Sequence, residues 1–177
     1  MNSVLVHRAT LDEADLAYAL VEEYFQAARV VVREDRARFE CDYFAANAGF
    51  WLAAADNQLA GCIALRELRS GGAALGEIKR MYVRPACRGC GVGDALLHAL
   101  EAYAASCGHR ELVLDTTGEM TSAVRLYERN GYTRRSRYNQ NPQATIFMGK
   151  QIGLSACSES EPASHGNPRR RLTPGAK

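Results

Sequence analysis

The sequence predicts an α/β domain in which helices flank a mixed, mostly antiparallel sheet. Three observations lead there. Strand-like and helix-like segments interleave in the order β-α-α-β-β-β-α-β-α-β-β. One long apolar repeat at spacings of three and four marks a strong amphipathic helix. The 47% apolar and 24% charged content of the 177 residues is that of a globular chain long enough to bury a proper core.

Each element has a local reason. Val4–Arg8 alternates as a strand does. Thr10 and Glu13 stand at capping-box spacing and open a helix running to about Phe25. A second helical stretch covers Asp35 to Asn47. The runs "FWLAAA" and "LAGCIALREL" are strands joined by the turn residues Asp56 and Asn57, a hairpin. "SGGAA" follows as a loop, and Leu75–Val83 is the next strand, stopped by Pro85. Val92, Ala95, Leu96, Ala99, Leu100, Tyr103, Ala104 and Cys107 form the long helix, with Gly108 at its C-terminal end. Glu111–Asp115 is a buried-type strand. Thr116 and Glu119 predict a second capping box, and Met120, Ala123, Val124 and Tyr127 share one helix face up to Gly131. Extended pieces at Tyr132–Arg137 and Ala144–Lys150 complete a domain spanning 1–153. Residues 154–177 are rich in Ser, Pro, Gly and charge and poor in large apolar residues, which predicts a disordered tail.

The formal net charge of +2 comes from that tail, whose four basic and two acidic residues leave eighteen of each elsewhere. A neutral body argues against nucleic acid as a partner. No stretch reaches the roughly 18 apolar residues of a membrane span. The N-terminal residues lack the pattern of a secretory leader. The expectation is a cytoplasmic protein with no membrane partner, whose cysteines are not a disulfide framework. Cys62 and Cys107 sit in apolar patterns as small core residues.

The chemistry concentrates in residues 86–94, "ACRGCGVGD", between a strand and the long helix. Cys87 and Cys90 have redox-motif spacing, but no thioredoxin-like βαβ unit surrounds them. A zinc site would need ligands that neither a second C-x-x-C nor an H-x₃₋₅-H supplies, so no metal is expected. A dinucleotide fingerprint would need glycine where Asp94 stands, although Asp115 lies at a suitable distance for a ribose-binding acid. A P-loop lacks its G-K-[ST]. Gly89, Gly91 and Gly93 do suit an anion cradle of backbone N–H groups at a helix N-terminus, with Arg88 at its rim. Cys90, at that terminus, is expected to be a reactive thiol that a bound ligand shields.

"RGCGVG" resembles the [RQ]-x-x-G-x-[GA] signature of the GNAT superfamily of N-acetyltransferases. "EIKRMYV" before it, and "LVLDT" and "AVRLYERNGY" after it, follow that family's order. The resemblance covers about Val4 to Ile152. It implies a sheet splayed between its fourth and fifth strands, with acetyl-CoA as co-substrate. The pyrophosphate would lie on Arg88, Gly89, Cys90, Gly91, Val92 and Gly93, and the pantetheine along Met81, Tyr82 and Val83. The Val83 N–H would polarise the thioester carbonyl. By the same resemblance Tyr127 is the acid for the departing thiolate, unless it simply packs. Glu77 is a candidate base, unless it is an ion-paired surface carboxylate.

Tyr138, Asn139 and Asn141 would border the acceptor, though Asn-Pro is also a turn former. Tyr24, Phe25, Arg29 and Arg33 would wall the acceptor pocket. The implied activity is acetyl transfer to a primary amine, of a small molecule or of a protein or peptide. A non-catalytic acyl-CoA-binding regulator and a redox protein remain alternatives. Many members of the family pair as homodimers.

Overall fold

The computed structural model describes residues 3–70 and 73–153; the expected tail, 154–177, lies outside the described residues. The elements are β1 (Val4–Arg8), α1 (Ala14–Ala27), α2 (Arg36–Tyr43), β2 (Gly49–Ala55), β3 (Gln58–Ser70) and β4 (Ala73–Val83). They continue with α3 (Val92–Ser106), β5 (Glu111–Thr116), α4 (Thr121–Arg129), β6 (Thr133–Arg134) and β7 (Ile146–Gln151). The strands form one mixed sheet in the order β1-β2-β3-β4-β5-β7-β6, parallel between β4 and β5 and antiparallel elsewhere. Among the described residues no helix is long and apolar enough to cross a membrane.

Side-chain alternation sorts the molecule into three layers. Trp51, Ala53, Ile63, Leu65, Ile78, Leu112 and Leu114 point to one face, where α3 and α4 bury Leu96, Leu97, Leu100, Val124, Leu126 and Tyr127 against them. Phe50, Leu52, Cys62 and Ala64 point the other way and pack under Leu20, Val21, Phe25, Phe39 and Tyr43 of α1 and α2. Burying each of the large side chains removes it from water for about 1.5–3 kcal/mol.

Several local expectations change. Thr10 and Glu13 do form a capping box, but it opens a 3-10 turn that runs into α1. Asp35 caps α2 by accepting the Arg38 N–H at 2.8 Å, and the helix stops at Tyr43 instead of Asn47. Asn47 has φ of 58°, outside any helix, because the chain must reverse into β2. The expected "SGGAA" loop is shorter, since β3 runs to Ser70 and β4 starts at Ala73. The Thr116–Glu119 capping box is absent. Thr116 stays in the ladder opposite Ile146, and α4 starts after Met120 without a side-chain cap.

The feature that positions everything else is a fork. β4 and β5 pair from Leu75/Glu111 to Ile78/Leu114, and there the parallel ladder ends while both strands continue. In the same place the β3–β4 register jumps from Ala64/Lys79 to Cys62/Tyr82, so β4 carries one residue more than β3. This is a β-bulge, with Arg80 in the left-handed region at φ of 54°. The bulge lets β4 keep its antiparallel partner while leaving its parallel one. Gly61 makes the close approach possible: a Cβ there would stand 2.4 Å from the Tyr82 carbonyl oxygen.

Gly61→Ala is therefore expected to destabilise the fold by on the order of 2 kcal/mol, an overpacking cost against backbone that cannot swing aside. Gly118→Ala, whose nearest contact would be a Thr145 hydroxyl at 3.9 Å, is the control expected to be near neutral. Urea-unfolding midpoints of the two variants measure the difference.

Candidate active site

On the α1/α2 face the fork is lined by charge. Arg66 of β3 lies opposite Glu77 of β4, and its Nε donates to Glu77 Oε2 at 2.5 Å. Lys79, two residues along β4, points the same way. It reaches Asp115 Oδ1 at 2.6 Å and Glu77 Oε1 at 3.4 Å. Lys79 and Asp115 are the first residues beyond the last paired rung, so a side-chain bridge takes over where the backbone ladder stops. Burial alone would raise the Asp115 carboxyl. The Lys79 charge and hydrogen bonds from Lys79, Asn141 and Asn139 outweigh that and hold it below the usual carboxylate range.

Beyond the fork lies a cavity of about 750 Å³. Its walls include Lys79, Arg80, Met81 and Asp115 from the parted strands, and Thr117 and Met120 from the turn before α4. Tyr127 also lines it, although α4 packs on the opposite face of the sheet from Arg66 and Lys79. An intact sheet would separate these side chains; the fork lets both faces contribute to one space. The Tyr127 ring packs edge-on against Tyr132 at 5.5 Å, and burial pushes its phenol well above the ordinary range. Among the described residues its hydroxyl has no hydrogen-bond partner.

Two loops roof the cavity. The α1–α2 loop is tied to the bulge by Glu34, which binds the Arg80 guanidinium through both oxygens. The β6–β7 loop is shaped by Asn139 and Asn141, whose side-chain oxygens accept the N–H groups of Asn141 and Gln143 at 3.1 Å each. Gln143 then clasps the first loop, accepting the Val31 N–H at 2.7 Å and donating to the Arg29 carbonyl at 3.1 Å.

The glycine loop fits an anion. Gly89 and Gly91 have φ of 79° and 81°, and a Cβ on either would meet no atom within 4 Å. Backbone N–H groups from Gly89 through Asp94 find no backbone acceptor among the described residues. Asp94 does not oppose an anion there, because Arg129 binds it through both carboxylate oxygens and keeps its charge engaged. Gly93 serves packing instead, its Cβ position being 3.2 Å from Leu126. Cys87 is partly buried and packs against the core, whereas Cys90 is exposed; both are free thiols.

At the end of β4, Arg84 N–H bonds to Ala60 O at 2.8 Å, while Val83 pairs with Gly61. In an antiparallel ladder hydrogen-bonded pairs alternate with open ones, so the N–H and C=O of Val83 face away from β3, toward the gap. Arg88 Nε donates to that Val83 carbonyl at 3.1 Å, joining the glycine loop to the strand.

The residues anticipated from the sequence thus divide. Tyr127, Met81, Asn139 and Asn141 meet in the cavity. Tyr82, Val83 and Arg88 to Gly93 stand outside it, along the strand end and the glycine loop. Glu77 is neither a surface carboxylate nor a wall of the cavity. It is fully buried behind the wall, and Arg66, Lys79, Tyr138 and Asn139 all donate to it. Tyr138 likewise turns from the cavity to give its hydroxyl to Glu77 at 2.9 Å. Arg66, Lys79, Glu34, Arg80 and Gln143 escaped the sequence reading. Hairpin register could have placed Arg66 opposite Glu77; no local signal identifies the others.

The sequence model of the acetyltransferase (GNAT) family matches residues 15–132. An uncharacterized N-acetyltransferase of Schizosaccharomyces pombe is 38% identical over 82 residues, 46% of this chain and 49% of that protein. An IAA acetyltransferase of Azospirillum brasilense is 32% identical over 106 residues, 58% of this chain and 67% of that one. The chain thus spans about half the length of the first relative. Among solved structures, a GNAT-family acetyltransferase of Staphylococcus aureus superposes with a TM-score of 0.73 at 16% identity, covering 85% of this chain and all of that one. A Salmonella typhimurium structure solved with acetyl-CoA gives 0.67 at 20% identity over 90% and 99% of the chains.

The bridge at the fork predicts an acid-side dependence of stability. With its folded pKa below the unfolded value of about 3.9, Asp115 binds fewer protons folded than unfolded between the two. Its stabilisation is full above about pH 4 and is lost as pH falls through the folded pKa. Asp115→Asn is expected to be less stable than wild type at pH 7, with that deficit shrinking by pH 3. Urea unfolding at both pH values checks it; an equal deficit at both would assign the loss to packing.

Proposed function

Because the chain belongs to the GNAT family of acetyltransferases, we propose that it moves the acetyl group of acetyl-CoA to a primary amine of a small molecule, by direct attack with both substrates bound. The observation that carries this reading is the meeting of Tyr127 with the Lys79–Asp115 face in one cavity through the fork. Acetyl-CoA supplies the activated acetyl thioester. The backbone N–H groups from Gly89 to Gly93 hold its pyrophosphate with Arg88 at the rim, and the edge of β4 from Met81 to Val83 faces the pantetheine. The Val83 N–H, turned to the gap, donates to the thioester carbonyl oxygen, where negative charge develops.

Tyr127 holds a proton for the departing sulfur. Its raised pKa keeps the phenol protonated at neutral pH. The desolvation that raises it also makes a thiolate in the same space more basic, so donor and acceptor stay matched. Glu77 takes the proton that the attacking nitrogen sheds. From behind the wall it does so through an intermediary, on the side where Lys79 and Asn139 reach the cavity. Asn139 and Asn141 border the acceptor, and Tyr138 holds Glu77 in place. The Gln143 clasp across the roof favours a small acceptor over a lysine on a folded protein, which would require the two loops to part.

Tyr127→Phe is expected to lower kcat by about a hundredfold or more while leaving acetyl-CoA affinity nearly unchanged, measured by CoA release and by calorimetry. An acyl-CoA-binding regulator would show no CoA release to lose. Glu77→Gln is expected to lower kcat by about a hundredfold while leaving acetyl-CoA affinity nearly unchanged, read in the same two assays. A loss of acetyl-CoA affinity as large as the loss in kcat would make Glu77 a positioning residue only.

A further inference from the structure

We propose that the acceptor is an amino acid or a close analogue, an amine that also carries a carboxylate, and that Arg33 is the residue that selects it. This rests on the acetyl-transfer reading above and names the substrate class of the same site.

Three carboxylates line the cavity, and each is already engaged. Glu34 is held by Arg80 through both oxygens. Asp42 faces Arg38 at 2.9 Å and Arg66 at 3.6 Å. Asp115 receives Lys79 and Asn141. A ligand ammonium would find no unpaired carboxylate in this wall, which favours a cavity that takes the amine neutral, the form that attacks a thioester.

The cations are in excess. Five line the cavity, and Arg38, Arg66, Lys79 and Arg80 all have carboxylate partners among the residues above and Glu77. Arg33 has none among the described residues. Its Nε donates to the Val30 carbonyl at 3.0 Å, and its guanidinium lies 5.6 Å from the centre of the Phe25 ring. The guanidinium is therefore held at its Nε and beside a ring while the two Nη groups stay unclaimed, a fork shaped for a carboxylate. The loop that presents it is braced on both sides, by Glu34 on the bulge and by the Gln143 clasp. An anion held at the loop would leave the other end of a small molecule to reach Tyr127 and the fork.

The test uses the full chain with acetyl-CoA and two matched sets of acceptors: α- and ω-amino acids, and their primary amides, which keep the amine and lose the charge. Wild type is expected to favour the best amino acid over its amide by at least about tenfold in kcat/KM. Arg33→Gln should abolish that preference, mainly by raising KM for the acid about tenfold or more with kcat little changed. Arg33→Lys should restore part of it. Amides that match their acids in wild type, or an Arg33→Gln loss shared equally by both, would overturn the selection by Arg33 while leaving acetyl transfer standing. If no acceptor in either set releases CoA although acetyl-CoA binds, both this proposal and the small-amine reading fall.

Discussion

A parallel pair of strands that stops pairing halfway along its length is the constraint on which the rest of this protein depends. β4 cannot turn away from β5 without disturbing β3, because its other edge is fully bonded. One extra residue in β4, with Arg80 in a left-handed conformation, absorbs the difference. The absent side chain of Gly61 lets β3 stay close while it happens. The parted strands leave backbone groups on their inner edges facing a gap instead of a neighbour. Such groups are costly when buried and unpaired, which is why a substrate that can pair with them, or solvent, belongs there.

Holding the fork open requires polar side chains in a place that is partly dry. Lys79 and Asp115 meet just past the last rung, and Glu77 gathers four donors behind them. Buried charges persist only when paired and hydrogen-bonded, and this cluster meets that condition nearly completely. The consequence reaches the chemistry. Residues fixed by such a network cannot also serve freely as ligands, so the Tyr127 hydroxyl, the Val83 N–H and the two Arg33 Nη groups stand out as groups left uncommitted. They sit at three distinct places around the proposed reaction: the leaving group, the carbonyl and the far end of the acceptor.

The order of elements and the glycine loop were legible because they depend on local rules. Period-two and period-three-to-four patterns gave the strands and helices, Asp35 capped a helix, and Gly89 and Gly91 marked positive φ in a strand-to-helix turn. Tyr127, Asn139 and Asn141, which motif order singles out, line one cavity. Glu77 lies in the strand its neighbours predict, yet its burial was not legible. What buries it comes from Arg66 eleven residues upstream and from Tyr138 and Asn139 some sixty residues downstream. The Thr116–Glu119 box failed for a related reason: pairing with β7 claimed Thr116 for the sheet, and tertiary pairing outweighs a capping preference of about 1 kcal/mol.

By itself the sequence determined the layers, the strand-turn-helix cradle and the family to which its motifs belong, because each is written in neighbouring residues and their spacing. Only the tertiary structure decided how the fork is braced, that Glu77 stands behind the cavity wall, and that Arg33 alone among the lining cations lacks a carboxylate partner within the described residues. Those outcomes depend on which distant side chains compete for the same charge, and that competition exists only once the chain has folded.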